Sequence, residues 1–188
     1  MRCPDFEQLL GCHAAPLLMG LAVGSLLSFQ KSRFDDFEAL LASYEPCFSC
    51  KGISMFRLAE GEEYVLILFY RAPLLMRALR APRAQEVLCG VGYRAGESME
   101  DCLDFLRLRM RVRKTLPPEV GLFLGYPPED VCGFIARRGR DFVCSGYWKV
   151  YANEAEARAL FEQDSVCTQE FCTRLAKGYP LAELVQAV

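Results

Sequence analysis

The chain has 188 residues, 52% apolar and 24% charged, which suits one folded domain burying about 70% of its unfolded surface and excludes a disordered chain. Its 22 basic and 24 acidic residues leave a net charge of −2, so no global field draws it to nucleic acid, and no nucleic-acid partner is expected. Ten cysteines are many for this size, but Asp5 and Glu7 stand where a secretory leader would be basic, so reduced, mostly buried thiols and a cytoplasmic location are expected.

In chain order, Asp5–Leu10 reads as a first helical turn or two. The run 11–30, GCHAAPLLMGLAVGSLLSFQ, has no charged side chain and reaches the roughly 20 residues of a spanning helix. His13, Pro16, three glycines and two serines dilute it, so a core helix or helix pair broken near Gly20–Gly24 is expected, with Pro16 early in a helix and no membrane partner. Phe34, Phe37, Leu40, Leu41 and Tyr44 recur at helical spacing, and Pro46 is expected to end that helix. Two strand-like runs follow, 52–58 (GISMFRL) and 63–70 (EYVLILFY), joined by a hairpin loop at 59–62. The second run is continuously apolar and predicts the centre of the sheet.

Pro73 opens a helix to about Leu79, and Pro82 opens another ending near Gly90. Ser98, with Asp101, caps a helix to about Lys114 with Met99, Leu103, Leu106 and Met110 on its inner face. Its basic end, Arg107, Arg109, Arg111, Arg113 and Lys114, reads as a solvated helix terminus or as a patch for an anionic ligand or partner. Val120–Leu124 predicts a short buried strand. Gly125 then supplies a turn, and Pro127 or Pro128 a helix start ending at Arg137-Arg138-Gly139. Glu129 and Asp130 fill the first turn, where a phosphate would otherwise sit, so a nucleotide loop is not expected. Phe142–Tyr151 predicts a further strand with a bulge at Ser145-Gly146. Asn153 and Glu156 then start a long helix with Ala157, Leu160, Phe161, Cys167, Phe171 and Leu175 inside, and Pro180 starts a terminal helix. The sum is an α/β or α+β fold: a small mixed sheet of about four strands flanked by helices, one layer-packed domain over residues 1–188.

Several residues carry both a chemical and a packing reading. His13 is the one histidine, so a triad or multi-histidine metal site is excluded within one chain. With Cys12 it could contribute to a heme or metal site or to thiol activation, although neighbours on a helix point about 100° apart, or it could simply cap or pack. Cys47 and Cys50 form a CxxC, which suits redox chemistry or half a zinc site, or simply packs. Cys167 is grouped with them. Glu119, Glu129 and Asp130 could supply acid–base or oxygen ligands, or only begin helices. Tyr126, Tyr147, Trp148 and Lys149 could line a pocket, or pack a strand under a helix.

The phrases GLFLGYPPEDVCGFI (121–135) and GYWKVY (146–151) resemble the signature of a bacterial family, domain of unknown function 3793. HAAPLLMGLAVGSLLSF (13–29) resembles that family's opening. FYR (69–71), which adds Arg71 to the candidate residues, Cys167 and LAKGYPLAELV (175–185) fit the same pattern. The resemblance spans nearly the whole chain and implies an anaerobic bacterial source and no established activity. Three positions depart from the family pattern: Pro118 replaces a histidine before Glu119, Ala14 a cysteine, and Ala22 a lysine. The functional expectation is a binding or accessory protein without catalysis, holding an unknown small molecule or protein partner near 126–130. The alternative is a thiol-dependent redox enzyme or a metal- or iron-cofactor-binding protein using the cysteines and His13. No particular cofactor is implied.

Overall fold

The computed structural model describes residues 3–187, whose contacts form two compact units: 3–72 with 164–187, and 73–163. In the first, helix α1 spans Pro4–Leu18 and opens on a proline, whose missing N–H costs nothing in a first turn. Strand β1 (Gly24–Gln30), helix α2 (Phe37–Cys50) and strands β2 (Ser54–Glu60) and β3 (Tyr64–Tyr70) follow. The sheet is antiparallel in the order β1-β3-β2, so the apolar run of β3 holds the centre as its composition predicts.

Two expectations fail in this unit. Residues 24–30 form a strand, not the second half of a helix pair. Leu27 and Phe29 turn inward opposite Ile67 and Val65, while Ser28 and Gln30 face solvent, which is the period of two that defines a half-buried strand. Pro46 lies inside α2 rather than ending it, and Pro16 lies late in α1. Each proline deprives the carbonyl four residues earlier of its partner, and both those residues, Ala42 and Cys12, lie on exposed faces where water can serve. Asp36 caps α2 by accepting from the Ala39 N–H at 2.9 Å.

The core of this unit is aromatic. Phe6 stacks on Phe29 at 5.3 Å, and Phe48 meets Phe69 edge-on at 5.7 Å. Each fully buried ring stabilises the fold by about 1.5–3 kcal/mol relative to exposure. From the end of helix α8 (Glu154–Ala176), Cys167 and Phe171 join this core, as do Leu181 and Leu184 of the terminal helix α9 (Leu181–Leu184).

The second unit holds helices α3 (Ala72–Leu79), α4 (Pro82–Gly90), α5 (Met99–Arg113), α6 (Val120–Phe123) and α7 (Pro128–Arg137) with the short strands β4 (Cys144–Ser145) and β5 (Lys149–Val150). Ser98 caps α5 as expected, accepting from the Asp101 N–H at 3.1 Å. Val120–Phe123 is a helical turn, not a strand. All four residues are buried, and a short buried apolar run has the same composition in either conformation. The stretch before α7 is therefore helix-turn-helix, and the βα unit is absent. Residues 142–151 do not form one strand either. They fold back at Gly146, whose N–H donates to Trp148 O at 3.0 Å, so the expected bulge is a turn between paired strands. Asn153 precedes α8 at φ 51°, not in the extended geometry of a cap, and Leu160 is exposed rather than inner.

The fold is thus α+β. The expected mixed sheet of about four strands is corrected to a three-stranded sheet and a two-stranded ladder, both antiparallel. Among the described residues no helix is long and apolar enough to cross a membrane.

Candidate functional site

The second unit brings five of the sequence candidates together. Gly125, at φ 85°, lets the chain reverse after α6, and the Tyr126 N–H returns to Gly121 O at 2.8 Å. A side chain at Gly121 would lie 2.9 Å from both the Tyr126 ring and Val131, so glycine permits this packing. In the first turn of α7, Asp130 is 3% exposed. Its Oδ2 accepts from Trp148 Nε1 at 2.7 Å, and its Oδ1 accepts from the N–H groups of Tyr151 at 2.7 Å and Ala152 at 3.0 Å. A carboxylate withdrawn from water needs such donors, and these three tie the residues on either side of β5 to α7.

Once held by Asp130, the Trp148 ring stacks on Tyr126 at 4.8 Å and meets Phe161 edge-on at 4.5 Å. Any side chain at Gly146 would collide with Phe161 at 2.4 Å, so the hairpin turn can lie flat on that ring only as glycine. Lys149 Nζ donates to Gly139 O at 2.8 Å and sits 4.8 Å from the Phe142 ring centre. Tyr126, Asp130, Val131, Phe134 and residues 145–149 line an open cavity of about 280 Å³. That is close to the lower end of small-molecule sites, about 300 Å³, and its walls are mainly aromatic with a few polar groups. Glu129 is exposed and borders a smaller cavity of about 120 Å³ beside it.

Sequence reasoning missed Val131, Phe134, Ser145 and Gly146 as lining residues. The four-residue spacing of Asp130 and Phe134, which places both on one side of α7, was the available signal.

Glu119 lies elsewhere in this unit and does not line the cavity. It is fully buried, paired with Arg109, and its Oε2 has no hydrogen-bond partner. Arg109 Nη1 also donates to Val91 O at 2.8 Å, so this member of the basic run turns inward while Arg111, Arg113 and Lys114 stay solvated. The Tyr93 hydroxyl is likewise buried without a partner. Burial, and then the Glu119 carboxylate, push that phenol well above its usual range.

The remaining candidates belong to the first unit. Arg71 is 2% exposed and donates to Leu17 O, Leu18 O, Lys51 O and Gln186 O at 2.7–3.2 Å, ending α1 and α2 and fixing the chain near residue 186. Its donors are spent on backbone, which makes it a structural clamp. His13 and Cys12 lie on the exposed side of α1. Cys47 and Cys50 close α2, where Cys50 Sγ donates to Cys47 O at 3.1 Å. Burial, then the neighbouring Cys50, push the Cys47 thiol up, the direction opposite to an activated nucleophile. Cys167 is core. Among the described residues no three His, Cys, Asp or Glu side chains gather closely enough to hold a metal ion.

The family model described as "Protein of unknown function (DUF3793)" matches residues 10–185, and the chain belongs to that family. No curated protein and no solved structure matches it.

Proposed function

We propose that this member of the family is a binding protein that holds a small, flat ligand carrying an acidic group in the cavity beside Trp148. The observation that carries this reading is the stacked Tyr126–Trp148 shelf with Lys149 at the same cavity. Aromatic faces favour planar apolar surface, and the shelf is held rigid by the Asp130 bonds before any ligand arrives. Lys149 gives one of its three ammonium donors to Gly139 and, among the described residues, has no carboxylate partner. A ligand carboxylate would take a remaining donor. Asp130, with both oxygens accepting from the protein, acts as a positioning residue rather than an acid or base. A cytoplasmic setting belongs to the same proposal.

Trp148 is the sole tryptophan of the chain, so its emission reports directly on this cavity. Titration with benzoate, nicotinate and 2-furoate is expected to change that emission saturably with at least one of them and to raise Tm. Lys149→Met should weaken binding roughly tenfold, equivalent to about 1.4 kcal/mol, and Tyr126→Ala should abolish it. Emission unmoved by all three probes at millimolar concentration overturns the reading.

A further inference from the structure

Cys12 on α1 and Cys172 on α8 lie 160 positions apart in the chain, yet their sulfurs approach to 3.9 Å. This closeness is built into the helix contact. Gly11, beside Cys12, has no space for a side chain: a Cβ there would lie 2.8 Å from Leu175 Cδ1 and 3.3 Å from Cys172 Sγ. Next to Cys172, Phe171 is 2% exposed and faces Gly11, so the helices cannot separate here without wetting a core ring. The two sulfurs differ in access, since Cys12 is exposed and Cys172 is half-buried. The CxxC motif offers no such pairing, because Cys50 is turned to the Cys47 carbonyl.

We propose that Cys12 and Cys172 are a disulfide-forming pair, oxidised by a low-molecular-weight disulfide of the glutathione type. The exposed Cys12, as its thiolate, attacks one sulfur of the reagent. The reagent's S–S bond breaks, one thiolate leaves, and a mixed disulfide remains on Cys12. Cys172 then loses its proton to solvent and attacks Cys12 Sγ, which breaks the mixed disulfide and releases the second reagent thiolate. Two protein thiols are oxidised, one reagent disulfide is reduced to two thiols, and the two protons lost by the protein go to the departing thiolates. Closure brings the sulfurs from 3.9 Å to about 2 Å, within reach of side-chain rotation and a small helix shift. The second step is the slow one. Burial, and then the Cys12 thiol against it, push Cys172 up to about 11, so little of it is thiolate at neutral pH. The product ties α1 to α8 across 160 positions of the chain. The site is independent of the aromatic cavity.

The test is equilibration of the reduced full-length chain with oxidised glutathione. The expected product is two hydrogens lighter, has eight titratable thiols in place of ten, and yields one linked peptide pair containing Cys12 and Cys172. Its Tm rises by on the order of 10 °C. Cys172→Ser should stop at a stable glutathione adduct on Cys12, and Cys12→Ser, at an exposed position, should keep its fold and form neither product. A wild-type chain that ends as the Cys12 adduct, bridges other cysteines such as Cys47 and Cys50, or keeps its mass overturns the proposal.

Discussion

Arg71 and Arg109 are both withdrawn from solvent, one in each unit, and their surroundings differ in kind. Arg71 meets four backbone carbonyls and, among the described residues, no carboxylate, so the acceptors it serves here are chain segments that must stay in place. Arg109 meets one carbonyl and a buried carboxylate that keeps an oxygen without a partner, beside an equally unpartnered tyrosine hydroxyl. The first unit therefore spends its buried polarity on architecture around a closed aromatic core. The second unit leaves polar atoms uncommitted and keeps an aromatic cavity open. The binding site we propose lies in the second unit, where the buried polarity is not all committed to architecture.

The largest effect should come from Arg71→Met, which strips four carbonyls of their donors at once. A loss of about 3–5 kcal/mol in urea unfolding is expected, and a loss below about 1 kcal/mol would show that the clamp is dispensable. Arg109→Met should cost about 3 kcal/mol by stranding the Glu119 charge, and adding Glu119→Leu should recover most of it. No single second substitution can do the same for Arg71, so failure of the Arg109 rescue would erase the contrast.

Asp130→Ala should cost about 2–3 kcal/mol and shift Trp148 emission to the red as the indole loses its acceptor. Asp130→Asn should fall between, because its single amide oxygen can still accept from the Tyr151 and Ala152 N–H groups. Unchanged emission in the alanine variant would mean that Trp148 is held without Asp130.

The smallest effect is alkaline. Burial pushes Cys102, in the second unit, from 9.0 to about 11, and pushes Tyr44, in the first, from 10.0 to about 12, with the Glu7 carboxylate adding to the latter. Both folded values are raised, so their support is complete below the unfolded pKa and is lost as pH rises through the folded one. Tm should fall from pH 9 to 11 through Cys102 and from 10 to 12 through Tyr44. Cys102→Ala should flatten the lower part of that decline and Tyr44→Phe the upper. A Tm constant to pH 12 would contradict both.

Five residues of the candidate site were legible before its geometry. Tyr126, Asp130, Tyr147, Trp148 and Lys149 stand in two signature stretches and share one cavity. Their roles were not legible: Asp130 is a triple acceptor rather than a ligand group, and Glu119 is an ion-pair partner away from the cavity. Arg71 likewise read as a candidate ligand residue, because the carbonyls it serves come from positions 17, 18, 51 and 186. No local pattern announces such a convergence.

Residues whose structure is set by neighbours within a turn were readable from the amino acids alone. The Ser98 cap, the proline starts of α4 and α7, and the apolar β3 all rest on local hydrogen bonding, fixed φ or composition. Tertiary structure decided the rest. Residues 24–30 became a strand because β3 offered an open edge, and 120–123 became a helical turn because Tyr126 and Val131 close against Gly121. The approach of Cys12 to Cys172 across 160 positions is the extreme case, since spacing carries no information about which helices will pack together.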